Sequence, residues 1–265
     1  MRIIVCVKAV PGSTEVKMDP ETNTIVRDGG QAVINPFDAA ALEVALKIKD
    51  EMRSRGAPCE VVAISMGIPS TEAILRDCIA RGADAGILLS DRAFAGADTL
   101  ATTQALSCGI RSRGDVDLVL CGKMAVDGDT AQIGPELAGA LGIPCAVGAM
   151  ECPEVEPGAL VVRREVDGGV ARVRLPLPAL ITVSKDAALL RMPSIAGVLA
   201  AESVQIEVLS AHEAGADPSR IGLSGSPTQV VRSFVPERAD AGVRIEGDLA
   251  EQVDALVTVL EGMGL

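Results

Sequence analysis

The chain has 265 residues, 48% of them hydrophobic, and a formal net charge of −12. That length supports one sizeable core with an appended arm or hairpin, and the acidic balance repels nucleic acid and anionic membrane, which removes both as partners. No apolar run reaches the length of a membrane-spanning helix, and the opening Met1-Arg2-Ile3-Ile4-Val5-Cys6-Val7 lacks a small-residue cleavage site and reads as a strand, so a soluble, cytoplasmic protein is expected.

In chain order, 2–8 is the first strand and 15–27 a hairpin. Ala40, Leu42, Ala45, Leu46 and Ile48 mark a helix over 37–54. A strand at 61–66, a helix over 70–82 and a strand at 85–89 follow, then a helix over 97–112 and a strand at 116–121. A helix over about 130–142 ends at Gly142 and Pro144. Short continuous apolar runs separated by helices specify an α/β fold with a mainly parallel sheet covered on both faces, the doubly wound type. From about 150 the rhythm changes. The strand-forming runs on either side of Asp167-Gly168-Gly169 predict a β-hairpin over 158–176, and 179–183 is a further strand.

Residues 1–200 are thus read as one domain, with 201–265 as an arm rich in Gly, Pro and Ser over 211–228 that ends in a helix. Asp248 and Glu251 form a capping box for that helix. Its stripe of Leu249, Val253, Leu256 and Leu260 needs a surface to cover it, either this domain or a partner chain. Seven cysteines without a CxxC read as reduced core residues. The one histidine, His212, supports no metal site, and no nucleophile–base pair stands out. With no Trp or Tyr, a bound flavin or base would rest on backbone groups and aliphatic walls.

Open parallel sheets bind ligands beyond the carboxyl ends of their strands, where strand order reverses. The segments after the strands are therefore the candidates. In 122–134 (Gly-Lys-Met-Ala-Val-Asp-Gly-Asp-Thr-Ala-Gln-Ile-Gly), Gly122 and Gly128 permit tight turns, and Asp129 or Thr130 is placed to cap the next helix. Free N–H groups at that helix start favour a phosphate, against which Asp127 and Asp129 work. The same residues also describe a capped helix after a glycine turn. The loop Ala93 to Thr99 repeats the pattern, with Asp98 and Thr99 opening a helix. Asn35-Pro36 caps and starts the first long helix. Neither GxGxxG nor GxxxxGK[ST] occurs, so a Rossmann or P-loop site is not supported.

These loops resemble the electron transfer flavoprotein β subunits. The resemblance rests on Gly122 to Gln132 with Leu137-Ala138 and Leu141-Gly142-Ile143-Pro144, on Val7-Lys8, Asn35-Pro36-Phe37-Asp38 and Arg81-Gly82-Ala83-Asp84, and on Leu177-Pro178-Ala179-Leu180. It covers about residues 1–210. It implies a nucleotide-binding domain paired with a larger α subunit whose FAD shuttles electrons between dehydrogenases and an acceptor. Ordinary members hold AMP here. A subgroup holds a second FAD, which takes a hydride from NADH and splits the pair between a low-potential carrier (ferredoxin or flavodoxin) and the partner's FAD. The segment Asp91 to Thr102, the variant Asp127-Gly128-Asp129-Thr130-Ala131-Gln132 and Asp38 after Phe37 resemble that subgroup. The cofactor-binding positions this implies are Cys6, Val7, Val10, Asn35, Asp38, Met66, Ala97, Asp98, Thr99, Gly122, Lys123, Ala125, Asp127, Gly128, Asp129, Thr130, Ala131, Gln132 and Ile133. Met124 stands where the family commonly has glutamine. The family's docking loop for an acyl-CoA or related dehydrogenase corresponds to 189–195, with Leu190, Arg191 and Ile195 as its contact residues. Ile195 equally reads as the start of a helix.

Overall fold

In the computed structural model, which describes residues 1–12, 32–128, 130–231, 242 and 244–264, the apolar runs assemble into one sheet. The hairpin expected over 15–27 lies outside the described residues, as does Asp129. The strands are β1 (Arg2–Cys6), β2 (Ala9–Pro11), β3 (Ala32–Ile34), β4 (Glu60–Met66), β5 (Ala85–Leu89), β6 (Leu118–Gly122), β7 (Cys145–Ala149), β8 (Glu154–Glu156), β9 (Ala159–Val166), β10 (Gly169–Pro176), β11 (Ala179–Val183) and β12 (Glu207–Leu209). The helices are α1 (Pro36–Ser54), α2 (Glu72–Arg81), α3 (Thr99–Arg111), α4 (Ile133–Leu141), α5 (Ile195–Ser203) and α6 (Leu249–Gly262).

The sheet order is β10-β9-β7-β11-β6-β1-β4-β5-β12, with β8 beside β9 and a separate β2–β3 ribbon. The strands from β7 to β12 run parallel, and β9 and β10 run antiparallel. The central strands are apolar at both parities because both faces are covered. On one face Ile3, Val5 and Val61 meet Leu42 and Leu46 of α1 and Leu75 of α2. On the other Ile4, Val62 and Val119 meet Ala105 and Leu106 of α3 and Leu137 of α4. The doubly wound α/β class expected from the sequence is the one observed.

The hairpin joins β9 to β10 in the register Val166↔Gly169, and Gly168 takes φ +82° in its turn. Strands β7, β8 and β12 carry too little sequence signal to have been anticipated: β7 reads Cys-Ala-Val-Gly-Ala, and the other two are three residues each. Two expectations need correction. Asn35 stands at the N-cap of α1 but its side chain makes no capping bond and turns instead to Met124 O and Val126 N. The fourth helix starts at Ile133 and not near 130, and its N-cap is Gln132, which makes no side-chain capping bond. The reason is Ala131, whose φ of +59° is left-handed and incompatible with a helical turn. The Thr130 hydroxyl donates to the Gln132 side chain instead of capping.

The chain divides into two compact units, Met1–Gln229 and Val230–Leu265. The Gly/Pro/Ser-rich stretch after 210 belongs to the first. In the second, α6 opens with the expected capping box: Asp248 accepts from the N–H groups of Ala250 and Glu251, and the Glu251 carboxylate accepts from Asp248 N at 2.9 Å. No residue of α6 is buried.

Candidate functional site

From β1 the chain moves out through β4 and β5, then returns to β6 on the other side of β1. Strand order therefore reverses between β1 and β6, the position where open α/β sheets leave a crevice. A cleft of about 1390 Å³ opens there, bounded by the segments that follow β1, β4, β5 and β6 and by the first turns of α3 and α4.

Asp38 holds the two diverging strands together beneath this cleft. Its Oδ2 accepts from Lys8 N at 2.8 Å, just past β1, and its Oδ1 accepts from Gly122 N at 2.9 Å, at the end of β6. Gly122 has to be glycine, because a Cβ there would stand 2.4 Å from Asp38 Oδ1 and 2.5 Å from Phe37 Cβ. Burial pushes the Asp38 carboxyl up to about 7, although the bonds from Lys8 N, Asn35 and Gly122 N pull the other way. Burial, with the Asp38 charge beside it, pushes the Cys6 thiol up to about 12, so Cys6 is an inert part of the floor.

Asn35, 1% exposed, fixes the loop after β6. Its Nδ2 donates to Met124 O at 2.8 Å, and its Oδ1 accepts from Val126 N at 3.3 Å. An Asn35→Ala variant leaves both backbone groups without that partner. It is expected to lose about 1–3 kcal/mol and to show faster hydrogen exchange at the amides of 122–128. Unchanged exchange there would remove Asn35 as the organiser of this loop.

On the opposite wall, Asp98 caps α3 through Ala101 N at 3.0 Å and accepts the Thr228 N–H at 3.0 Å and its hydroxyl at 2.8 Å. Despite the desolvation that pushes it up, these bonds hold the Asp98 carboxyl below its ordinary range. Asp91 is likewise held low, by the N–H groups of Ala93 and Ala211. Glu136 of α4 accepts from the hydroxyls of Thr99 at 3.3 Å and Thr103 at 3.2 Å, tying the two helix starts together.

Among the residues singled out from the sequence, Cys6, Val7, Asn35, Asp38, Met66, Ala97, Asp98, Thr99, Gly122, Ala125, Gly128, Thr130, Gln132 and Ile133 all line this one cleft. Four others do not. Val10 is buried in the β2–β3 ribbon. Lys123 reaches away to Glu165 at 3.6 Å. Asp127 does not line the wall but pairs with Lys8 at 2.6 Å, and Ala131 forms the left-handed turn before α4. The cleft also takes in Lys8, Arg92 and Phe94, from post-strand segments that were candidates as loops and not as single contacts, and Glu136, Pro227 and Thr228, which sequence reasoning had not placed in a site. Lys8 and Arg92 were accessible to it, since both stand in loops that follow strands. Pro227 and Thr228 were not, because they come from a polar stretch 130 positions beyond Asp98.

The segment 189–195 divides between inward and outward residues. Leu190 packs against the core. Arg191 is bound by Glu43 at 2.9 Å and Asp50 at 2.9 Å, both on α1. Leu189, Met192 and Ile195 are 92%, 83% and 85% exposed. Ile195 is also the first residue of α5, which Ser194 caps by accepting from Gly197 N at 2.9 Å, as the helix reading of that position expects.

Residues 22–214 match the family model described as "Electron transfer flavoprotein domain". The chain is 43% identical over 253 residues to the caffeyl-CoA reductase–Etf complex subunit CarD of Acetobacterium woodii, covering 96% of this chain and 95% of that one. It is 41% identical over 258 residues to the electron transfer flavoprotein subunit beta of Thermoanaerobacterium thermosaccharolyticum, covering 97% and 96%. It is 39% identical over 269 residues to the acryloyl-CoA reductase electron transfer subunit gamma of Anaerotignum propionicum, covering 98% of each.

Proposed function

The chain belongs to the electron transfer flavoprotein family, among its β subunits, and from that premise we propose that its cleft is an FAD site and that it forms the NADH-oxidising half of an electron-bifurcating pair with an α subunit. The observation that carries this reading is room. A cleft of about 1390 Å³ exceeds the roughly 300–1,000 Å³ of a pocket for a drug-sized ligand, and so exceeds what AMP needs.

The walls suit such a group. Cys6, Val7, Met66, Ala125 and Ile133 give an aliphatic surface for an adenine, while Ala95 and Ala97 leave the far wall shallow enough for a broad ring. The start of α4 lies beside the cleft and has no side-chain cap, so its first N–H groups are available to phosphate oxygens, whereas the start of α3 is already capped by Asp98. Asp38 and Asn35 do not need to touch the cofactor. They hold the floor and the loop after β6 at fixed positions, which preorganises the site. When bound, FAD supplies a two-electron acceptor for hydride from NADH and a one-electron donor to two outlets, the α-subunit flavin and a low-potential carrier such as ferredoxin or flavodoxin.

The names of the relatives from Acetobacterium and Anaerotignum both include an acyl-CoA-type reductase. They support an acyl-CoA or related dehydrogenase as partner here, docking on the exposed Leu189, Met192 and Ile195. The uncovered apolar stripe of α6 supports a seat on the α subunit.

Purification of the two subunits together tests the assignment. Two flavins per heterodimer, both bleached by NADH under anaerobic conditions, are expected. One flavin with one AMP would refute it and leave the cleft as a structural nucleotide site.

A further inference from the structure

Resting on the reading of the cleft as an adenine-nucleotide site, whether for FAD or AMP, we propose that Pro227 and Thr228 form a strap at its mouth, latched on Asp98, that opens for a nucleotide to enter or leave.

The strap starts from a firm anchor. Gly222, at φ +56°, lies so close behind the turn after β5 that a Cβ on it would stand 2.1 Å from Ala93 O. Leu223 N donates to Ala95 O at 3.0 Å. Ser226, 8% exposed, donates its hydroxyl to Gly222 O at 2.7 Å and accepts from Asp98 N at 2.8 Å. Up to Ser226 the chain is therefore part of the wall. Pro227 has a fixed φ and restricts the residue before it to extended backbone, which sets the direction in which the chain leaves the anchor.

Past Ser226 the attachment is of another kind. Pro227 and Thr228 are exposed to solvent and yet line the cleft, which places them at its mouth. Among the described residues their only hydrogen-bond partner is Asp98, whose Oδ2 accepts the Thr228 N–H at 3.0 Å and the Thr228 hydroxyl at 2.8 Å. The other carboxylate oxygen is engaged by Ala101 N at 3.0 Å, so the post that receives the latch is itself fixed to the start of α3. The first compact unit ends one residue later, at Gln229. A segment with a rigid root and one charge-assisted attachment at its tip swings open without unfolding what lies behind it.

A strap that is mostly closed slows entry and exit alike, each by the fraction of time it stands open. Weakening the latch raises that fraction, so both rates increase together and the dissociation constant barely moves. Loss of a direct ligand contact has a different signature: release alone quickens, and binding weakens in proportion.

The test uses the heterodimer with its α subunit and that subunit's flavin retained, stripped of nucleotide in this cleft. Association and release rates are measured with radiolabelled AMP and, separately, with FAD. Thr228→Val keeps the side-chain volume and the backbone bond and removes the hydroxyl from the latch. Ser226→Ala loosens the anchor at a residue that does not line the cleft, so it does not act by touching the ligand. Each variant is expected to raise both rates about threefold to tenfold, the range for one hydrogen bond, with the dissociation constant changed less than about twofold. Faster release alone, or wild-type rates in either variant, overturns the strap. A wild type that refuses FAD, with AMP exchanging faster in the variants, overturns the FAD reading and leaves the strap standing. A wild-type cleft that takes neither ligand overturns both.

Discussion

A Gly122→Ala variant is expected to lose about 3 kcal/mol or more of stability and to accumulate as aggregate. The added Cβ would stand 2.4 Å from Asp38 Oδ1, 2.5 Å from Phe37 Cβ and 2.8 Å from the Phe37 carbonyl carbon. None of these can retreat cheaply. The carboxylate is fixed by Lys8 N and Gly122 N, and Phe37 is in the first turn of α1. To make room α1 must lift away from β6. Overpacking of this kind costs about 1–3 kcal/mol, and loosening the Asp38–Gly122 bond adds about 1–3 kcal/mol for a buried group left unpaired. Gly139→Ala is the control. Gly139 is an exposed helical position with nothing within 4 Å of an added Cβ, so alanine there is expected to be neutral or to stabilise by up to about 1 kcal/mol. Urea denaturation of both variants decides the matter, and similar losses would dismiss the steric account.

The second large effect is a pH dependence written into Asp38. Its carboxyl goes from an ordinary 3.8 to about 7 in the folded chain. The folded state thus binds this proton more tightly than the unfolded state does. The resulting stabilisation is complete below about 4 and is lost as pH rises to about 7. That range corresponds to about 4 kcal/mol at most. Asp38→Asn removes the titration. Its amide accepts one of the two N–H bonds and turns its NH2 toward the other donor, so at low pH the variant is the less stable of the two. With 36 acidic residues in the chain, many other groups titrate too. The difference between the two unfolding curves from pH 4.5 to 8 isolates Asp38: the wild type should lose its advantage over Asn as pH rises. Parallel curves would show that the buried carboxylate is already ionised throughout.

The architecture was legible because its signal is local. Val61 to Ile64 and Ala85 to Leu89 are apolar runs of strand length, and the helical spacing of Ala40, Leu42, Ala45, Leu46 and Ile48 marks α1. Much of the cleft was legible for a topological reason: segments that follow strands converge wherever a parallel sheet reverses its order. What the sequence withheld depends on distance or on single dihedrals. Nothing in Asp-Thr-Ala-Gln announces that Ala131 takes a left-handed φ and delays α4 by three residues. Nothing in Ser226-Pro227-Thr228 points to Asp98. Phe37-Asp38 looks like an ordinary first turn, and only its contacts with Lys8 N and Gly122 N reveal it as the clasp between two strands.

One further consequence lies in α1. Its 19 residues carry Asp38 near one end, Glu43 in the middle and Asp50 near the other. Glu43 lies about 7.5 Å along the axis from Asp38 at 1.5 Å per residue, and it grips Arg191 through both carboxylate oxygens. The exposed Leu189 and Met192 flank that arginine. A macromolecule seated on those side chains bears on the same rigid strut that braces the floor of the cleft. On the docking proposed above, the spacing between that partner and the contents of the cleft is set by one stiff member and not by a train of loops.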